Sequence, residues 1–337
     1  MSSSRSFKIP PKYQQGFSLI ELMISIVLSL LLVLGVGSIF LASNKTMQAS
    51  QASSKIQENA RLMMELLNRD LREAGGNPCS SQLEIGSSLK NQTNPYWDTW
   101  KGGLRGYTGS QATAGTAFGN GVGQRVPGTD AIDVFASTAD VVNITSKMTA
   151  GNSPLTVSSN NLYSTNDLAF VCDTSVGFLF QVSGRTATQL QHNDTGSAPG
   201  NCARVFSYTD SCNNLATGYL FDKNATVGKV SATRWYIGNN EDGTRSLFRA
   251  SLSPSGASGS TVSSVTEIAK NVQNMNIEYL QRGNVDYADA TSIGNWKNVM
   301  SVKVTYTIEL QQTTLGVRDG RTITRAMTQV VALRNRQ

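Results

Sequence analysis

A long apolar segment near the amino terminus limits what this chain can fold into. Residues 17–42 contain one charged side chain, Glu21. As an α-helix, this run would be about 39 Å long, and the hydrocarbon core of a bilayer is about 30 Å thick. Arg5, Lys8 and Lys12 precede the run without any acidic residue. The segment is therefore predicted to anchor the chain in a membrane, with its basic leader in the cytoplasm.

Two simpler explanations of this segment are a secretory signal peptide and a plain membrane anchor. A secretory signal peptide has a shorter apolar core that ends in a small-residue cleavage site, and the present run is too long and is followed by no such site. A plain anchor does not explain Glu21, because a carboxylate in the apolar layer costs about 2.5–3.5 kcal/mol. Since Glu21 lies near the end of the span, its side chain could still reach the headgroup region without any special role.

The residues around Glu21 resemble a known export signal. The stretch GFSLIELMISIVLSL, which begins at Gly16, resembles the class III signal of type IV pilins and type II secretion pseudopilins. The resemblance implies that a prepilin peptidase cleaves between Gly16 and Phe17, and that the new amine of Phe17 is N-methylated. It also implies that Glu21 pairs with the positive amino terminus of a neighbouring subunit, in a filament core whose low dielectric strengthens the attraction.

The helix is predicted to continue beyond the apolar run. Apolar residues recur at spacings of three and four, which is typical of an amphipathic helix with one buried face: Ala52, Ile56, Ala60, Met63, Leu67, Leu71 and Ala74. Charges of alternating sign occupy another face and predict only a solvated surface: Arg61, Glu65, Arg69 and Glu73. Gly75 and Pro78 then indicate a stop. We predict one helix from about Phe17 to about Ala74.

The rest of the chain is predicted to be a β-rich head. Short apolar stretches alternate with Gly, Ser, Asn and Thr, and predict strands at AIDVFA, LAFVC, GFLFQV, TRWYIG, SLFRA, MNIEYL, VMSVKVTYTIEL and TQVVALR. The last two are predicted to form a hairpin that reverses at Asp319 and Gly320. Residues 109–123 and 251–264 are interpreted as long flexible loops, and residues 264–274 as a short helical turn.

These patterns predict an α+β fold with a long helix and a β-rich head, and the resemblance implies a type IV pilin-like arrangement with four parts. They are a cleaved cytoplasmic leader (1–16), a transmembrane and filament-core helix (17–43), an amphipathic helix that enters the head (44–76), and a head of antiparallel sheet (77–337). The head is expected in the periplasm before assembly and on the pilus at the cell surface afterwards.

Several blocks of the head also resemble one subgroup of this superfamily. IQENARLMMELLNRDLREAGGNPC and the closing VALRNR resemble PilW-type minor pilins, as do GTDAIDVFAS, WYIGNNEDGTRSLFRA and WKNVMSVKVTYTIEL between them. The resemblance implies a subunit that joins other minor pilins and the major pilin in a tip complex, helps to initiate assembly, and supports twitching motility and adhesion. A PilY-type tip adhesin is a further implied partner.

Two alternative functions share the signal. The first is a GspJ-like minor pseudopilin of a type II secretion system, which the first block also resembles. The second is a DNA-binding competence pilin. Three of the six net positive charges lie in the leader, and no basic cluster with interleaved aromatics follows, so nucleic acid is not favoured as a partner.

The sequence does not favour an enzyme, a metal site or a cofactor. The single histidine, His192, lies in the polar stretch LQHNDTG and is predicted to be a solvated surface residue rather than a general base. No common catalytic or phosphate-binding motif is present. GNNEDG at Gly238 is interpreted as a turn rather than a Ca²⁺ loop. Trp97 and Trp100 are expected to pack in the core or anchor a loop rather than form a recognition patch.

Four cysteines suggest disulfides in an exported head. They are Cys79, Cys172, Cys202 and Cys212, and an even number allows two bonds with three connectivities. We favour Cys202 with Cys212, a short local loop, and Cys79 with Cys172, which would tie the end of the long helix to the sheet. Free buried thiols are the alternative.

Overall fold

The computed structural model describes residues 16, 18–80, 83–90, 102–113, 115–194, 200–202, 204–208, 218–253, 261–314 and 317–334. It has the predicted α+β architecture, a long amino-terminal helix followed by a β-rich head. The chain divides into two compact units, Met1–Ser54 with Gln312–Arg321, and Lys55–Gln311 with Thr322–Gln337.

One helix and fourteen strands make up the described secondary structure, together with two short 3-10 helices, Ala290–Ser292 and Trp296–Asn298. The helix and strands are α1 (Leu19–Glu73), β1 (Ile85–Ser87), β2 (Leu104–Tyr107), β3 (Ala131–Asn143), β4 (Leu155–Thr156), β5 (Leu168–Cys172), β6 (Gly177–Gln181), β7 (Gly184–Arg185), β8 (Gln189–Gln191), β9 (Thr226–Asn239), β10 (Arg245–Ser253), β11 (Thr261–Lys270), β12 (Val272–Gln281), β13 (Val299–Thr314) and β14 (Val317–Ala332).

The carboxyl-terminal part of α1 buries the predicted apolar stripe. Ile56, Ala60, Met63, Leu67 and Leu71 are each at most 3% exposed and pack in the main core of the head. By contrast, Arg69 and Glu73 on another face remain exposed and lie 3.6 Å apart. The periodicity therefore identified the face of the helix that packs, and the ion pair is a surface feature.

Glycine ends α1 as predicted. Gly75 has a φ of 70°, and the N–H of Gly76 donates to the carbonyl of Glu73 at 2.8 Å. The N–H of Gly75 donates to the carbonyl of Phe135 in β3 at 2.8 Å. Gly103 lies so close to this turn that any β-carbon there would overlap the Gly75 backbone. Two glycines are therefore needed where the helix end meets the sheet.

The largest sheet is built around β9. One side of β9 pairs with β3, and the other side pairs first with β5 and then with β10. The full order is β1-β6-β5-β9-β10-β11, with β2 added beside β3. The β1–β6 pair is parallel and the other described pairs of this sheet are antiparallel. Every predicted strand is found, so the strand predictions are confirmed.

A second sheet has the order β12-β13-β14 and contains the predicted hairpin. The position of the reversal was predicted wrongly. β13 continues to Thr314 and β14 begins at Val317, so Asp319 and Gly320 lie inside a strand. A third, small sheet has the order β4-β8-β7, and its core is continuous with aromatic side chains of β6.

Two further assignments of the sequence analysis were wrong. Residues 264–274 are not helical, because β11 pairs along β10 and Asn271, with a φ of 64°, turns the chain into β12. The interpreted loop 251–264 begins inside β10 and ends inside β11. Its residues 254–260 lie outside the described chain. The Ser-rich sequence has little local preference for a strand, but hydrogen bonding to β10 holds the described part of the segment as one.

Candidate functional site

The amino-terminal segment is the candidate functional site that the sequence analysis identified. Gly16 is exposed, and Phe17, on the other side of the expected cleaved bond, lies outside the described residues. Glu21 is exposed in the first turn of α1. The structure therefore places the Glu21 carboxylate at the start of the helix, close in sequence to the expected new amino terminus.

Glu21 has a local structural role that the sequence analysis missed. Its Oε2 accepts a hydrogen bond from the N–H of Ser18 at 3.0 Å, and the Ser18 hydroxyl accepts one from the N–H of Ile20 at 3.3 Å. This arrangement is a capping box in which the serine accepts from the N2 amide rather than the N3 amide, and it satisfies amide groups that the first helical turn leaves without partners. The Ser-x-x-Glu spacing was visible in the sequence.

The first unit presents an apolar helical surface. Large apolar side chains from Leu19 to Phe40 are between 51% and 77% exposed. One 18-residue window of α1 has a mean hydropathy of 2.7, and the helix is long enough to cross a membrane. It remains continuous through Gly35 and Gly37. A surface of this kind requires lipid or other apolar helices around it.

The structure joins Cys79 to Cys172, with 6.1 Å between their Cα atoms. The bond links the segment after α1 to the end of β5, and Cys172 is fully buried. Cys202 is also disulfide-bonded. Its expected partner, Cys212, lies outside the described residues.

Asp70 fastens α1 to the large sheet. Its carboxylate accepts hydrogen bonds from Trp235 Nε1 at 2.8 Å, and from Arg249 Nε and Nη2 at 2.8 and 3.2 Å. Trp235 lies on β9 and Arg249 on β10. The sequence analysis did not select Asp70, because its partners lie 165 and 179 residues further along the chain.

A buried ion pair lies within the large sheet. Asp133 on β3 accepts hydrogen bonds from Arg234 Nε and Nη2 at 2.6 and 2.7 Å, and both side chains are inaccessible to solvent. Tyr107 adds a hydrogen bond from its hydroxyl to Asp133 at 3.1 Å. The pair satisfies its own charges and is closed to solvent, so it is a structural feature of the sheet.

The glycine-rich segment 109–123 is hydrogen-bonded to Arg125, which lies near the Asp133–Arg234 pair. Arg125 donates to the carbonyls of Thr108, Gln111 and Thr129 at 2.6–2.9 Å. Burial, and secondarily the nearby charge of Arg234, lower the pKa of Arg125 to about 10, so it remains charged at neutral pH. The bonds to Thr108 and Gln111 hold the start of a segment that the sequence analysis interpreted as flexible.

The prediction for His192 was wrong. The residue is 3% exposed, its ring lies 4.4 Å from that of Phe206, and its Nε2 lies 2.9 Å from the carbonyl oxygen of Ser153. Burial lowers its pKa below the usual 6.5. Its immediate sequence neighbours are polar, but the fold brings the rings of Phe180 and Phe206 against it. His192 is therefore a core residue with a satisfied ring nitrogen.

The remaining candidates form no ligand site in the described structure. Asn240 organises the GNNEDG segment as a turn, because its Oδ1 accepts hydrogen bonds from the N–H groups of Asp242 and Thr244, both at 3.0 Å. Asp242 pairs with Lys270. Among the described residues, no three His, Cys, Asp or Glu side chains are grouped as a metal site. Trp97 and Trp100 lie outside those residues.

Comparison with known proteins identifies one family motif. A model described as the prokaryotic N-terminal methylation motif matches residues 11–37. No curated protein and no solved structure matches the chain. The motif covers Gly16, Phe17 and Glu21, and it coincides with the capping box and the start of the exposed apolar helix.

The motif and the fold together support a type IV pilin or pseudopilin. They favour a structural subunit rather than a catalytic one. The motif implies processing by a prepilin peptidase and assembly with other pilins. With the apolar helix, it also supports anchoring in a membrane.

Proposed function

We propose that this protein is a PilW-type minor pilin, which helps to initiate assembly of a type IV pilus and sits in its tip complex. The methylation motif at residues 11–37, placed at the start of an exposed apolar helix that continues into a β-rich head, supports a pilin or pseudopilin. The finer assignment rests on the resemblance of the head blocks to PilW-type minor pilins. In this role the subunit would support twitching motility and adhesion, with other minor pilins, the major pilin and a PilY-type adhesin as partners.

The proposed mechanism is physical and begins in the inner membrane. The apolar part of α1 holds the subunit there with its head in the periplasm. Cleavage after Gly16 frees the amine of Phe17, which is then methylated. Extraction into the filament transfers the apolar surface of α1 from lipid to the helices of neighbouring subunits, so that little apolar area becomes exposed to water.

Glu21 is proposed to guide this transfer. A carboxylate has two oxygens, and in the structure Oε2 accepts the hydrogen bond of the helix's own capping box. The carboxylate can accept further hydrogen bonds, so it can also meet a positive amine from another subunit. Such a pair is strongest where water is excluded.

Gene deletion in the host, with wild-type complementation, tests the proposal. Surface pili, twitching and export of a type II secretion substrate are scored in the same strains. Loss of pili and twitching with normal secretion is expected. Loss of secretion with normal pili would instead assign the protein to a type II secretion pseudopilus and contradict the pilus function.

A further inference from the structure

The sheet β12-β13-β14 has two outer edges, and described residues cover much of one of them. On β12, the carbonyl of Met275 accepts a hydrogen bond from the N–H of Asp130 at 3.0 Å, and the N–H of Ile277 donates to the Asp130 carboxylate at 2.8 Å. Tyr279 and Ala288 exchange two backbone hydrogen bonds, at 2.8 and 3.0 Å. The β12 edge therefore offers few free backbone groups to another chain.

The edge of β14 is open in comparison. Residues 322–331 make no backbone hydrogen bond to any described residue outside the β13–β14 pair. No proline interrupts β14. A strand edge of this length carries a row of unpaired N–H and C=O groups, which is a template for pairing with another strand.

The register shows which residues point towards the open edge. The N–H of Leu333 donates to the carbonyl of Met300 on β13 at 2.9 Å, and the hydroxyls of Thr328 and Thr305 lie 2.9 Å apart. Both contacts fit a single antiparallel register. Successive residues direct their backbone groups to opposite sides, so the odd-numbered residues face β13. The open edge is then formed by the even-numbered residues Thr324, Ala326, Thr328 and Val330.

These residues are accessible and small. All four are exposed, and Val330 is 58% exposed. Threonine, valine and alanine side chains leave the backbone of an edge strand easy to approach, and threonine and valine are good β-formers. Inward-facing Met327 and Val331 meanwhile hold the strand on the main core. The edge is thus both fixed in place and sterically open.

Charge distinguishes among the chains that could bind there. β14 and the two residues after it contain one acidic residue, Asp319, and four arginines: Arg318, Arg321, Arg325 and Arg334. A second copy of this chain would place two basic strands side by side, and like charges opposed across strands destabilise pairing. An acidic strand would be attracted instead.

We propose that the free edge of β14 binds an acidic, extended segment of a different chain, which adds a fourth strand to the sheet β12-β13-β14. Its backbone would pair with the even-numbered residues from Thr324 to Val330, and its carboxylates would lie beside Arg325. The identification of that chain as another pilus subunit rests on the proposed function. The binding chemistry depends only on the free edge of β14.

A blocked acidic peptide, acetyl-Thr-Val-Glu-Val-Thr-Glu-Val-Thr-amide, is the probe. It is added to the full-length protein in detergent, and binding is followed by fluorescence anisotropy and by hydrogen–deuterium exchange. We expect binding that slows amide exchange in the segment containing residues 322–332. The same peptide with lysine in place of glutamate is expected to bind about tenfold more weakly or not at all.

Variants of the edge test the geometry. Ala326→Pro removes one outward N–H and should leave the β13 ladder intact, because proline is tolerated on an edge strand where its N–H would face solvent. It is expected to weaken peptide binding by about tenfold or more, while the matched Ala326→Val keeps binding. Arg325→Glu tests the charge without touching the backbone and remains informative if the proline variant folds poorly.

Four outcomes would overturn the proposal. They are no protection of residues 322–332 at millimolar peptide, equal binding of the lysine peptide, unchanged binding by both Ala326→Pro and Arg325→Glu, and self-association of the full chain that Ala326→Pro abolishes. The last would identify a second copy as the occupant. None of these measurements involves pili or secretion, so their failure is distinguishable from failure of the proposed function.

Discussion

The Glu21 side chain caps the first turn of its own helix. An alanine substitution at this position therefore changes more than the charge. Replacing Glu21 with alanine would remove both the negative charge and the acceptor for the Ser18 N–H. Replacing an N-cap residue costs about 1 kcal/mol of helix stability, and loss of the reciprocal bond from Glu21 acts in the same direction. A filament defect in Glu21→Ala could therefore arise from either loss.

Glu21→Gln separates the two roles. Glutamine keeps an acceptor at the N3 position of the capping box and removes the charge. If Glu21 pairs with a neighbouring amine, Glu21→Gln should be processed normally but should enter filaments at a clearly reduced level, as measured by immunoblot of sheared pili. Ser18→Ala, which weakens the cap and keeps the charge, is the matched control and should assemble nearly as the wild type. Normal assembly of Glu21→Gln would exclude the charge pairing.

His192 gives the head a predictable pH dependence. Its pKa is lowered by burial in the folded state, so below about pH 6.5 the unfolded chain binds a proton more readily than the folded chain does. The stabilisation from a neutral, buried ring is fully present above that pH and is lost as the pH falls towards the lowered pKa. Since the chain has one histidine, the effect can be assigned to a single residue.

The corresponding measurement is urea unfolding of the full chain between pH 7.5 and pH 5. Wild type should lose stability across this range. His192→Gln, which can still donate a hydrogen bond to Ser153, should start less stable and should lose less on acidification. Parallel pH profiles for the two proteins would show that titration of His192 does not contribute.

At the scale of elements, the contact between α1 and the large sheet depends on Asp70 more than on the surface charges nearby. Asp70 accepts three hydrogen bonds from Trp235 and Arg249 in a partly buried setting. Asp70→Asn removes the charge that Arg249 faces, and we expect it to lower the free energy of unfolding by about 2 kcal/mol.

Glu73→Gln is the control, because it breaks an exposed pair with Arg69 at 3.6 Å. Its expected cost is below about 1 kcal/mol. Urea unfolding followed by tryptophan fluorescence compares the two variants. Equal unfolding midpoints for Asp70→Asn and Glu73→Gln would contradict a fastening role for Asp70.

The same elements show what sequence patterns can predict. The buried stripe of α1, its glycine stop and the main strands follow from local periodicity, so they could be predicted. The hairpin reversal could not, because an Asp-Gly pair favours a turn only where strand pairing does not extend past it. The contacts of Asp70 depend on residues far away in sequence, and the burial of His192 depends on aromatic rings outside the polar stretch that contains it. Neither is contained in a local pattern.

At the scale of the whole molecule, the disulfide between Cys79 and Cys172 closes a loop with a sequence separation of 93. It restricts the unfolded chain, and for a loop of this length the stabilisation is about 2–5 kcal/mol. Cys79→Ser/Cys172→Ser should lower the free energy of unfolding by that amount. The double variant Cys202→Ser/Cys212→Ser should cost less, because the proposed second loop is short. A larger loss of unfolding free energy in Cys202→Ser/Cys212→Ser than in Cys79→Ser/Cys172→Ser would contradict this assignment of the disulfides.

The proposed function requires a processed pilin subunit whose apolar helix lies inside a filament. The most direct measurement is mass spectrometry of the chain recovered from sheared and purified pili. We expect a chain that begins at Phe17 with one methyl group on its amine and that has lost residues 1–16. Purified pili that lack the chain, or that contain a chain with its leader retained, would rule out this role.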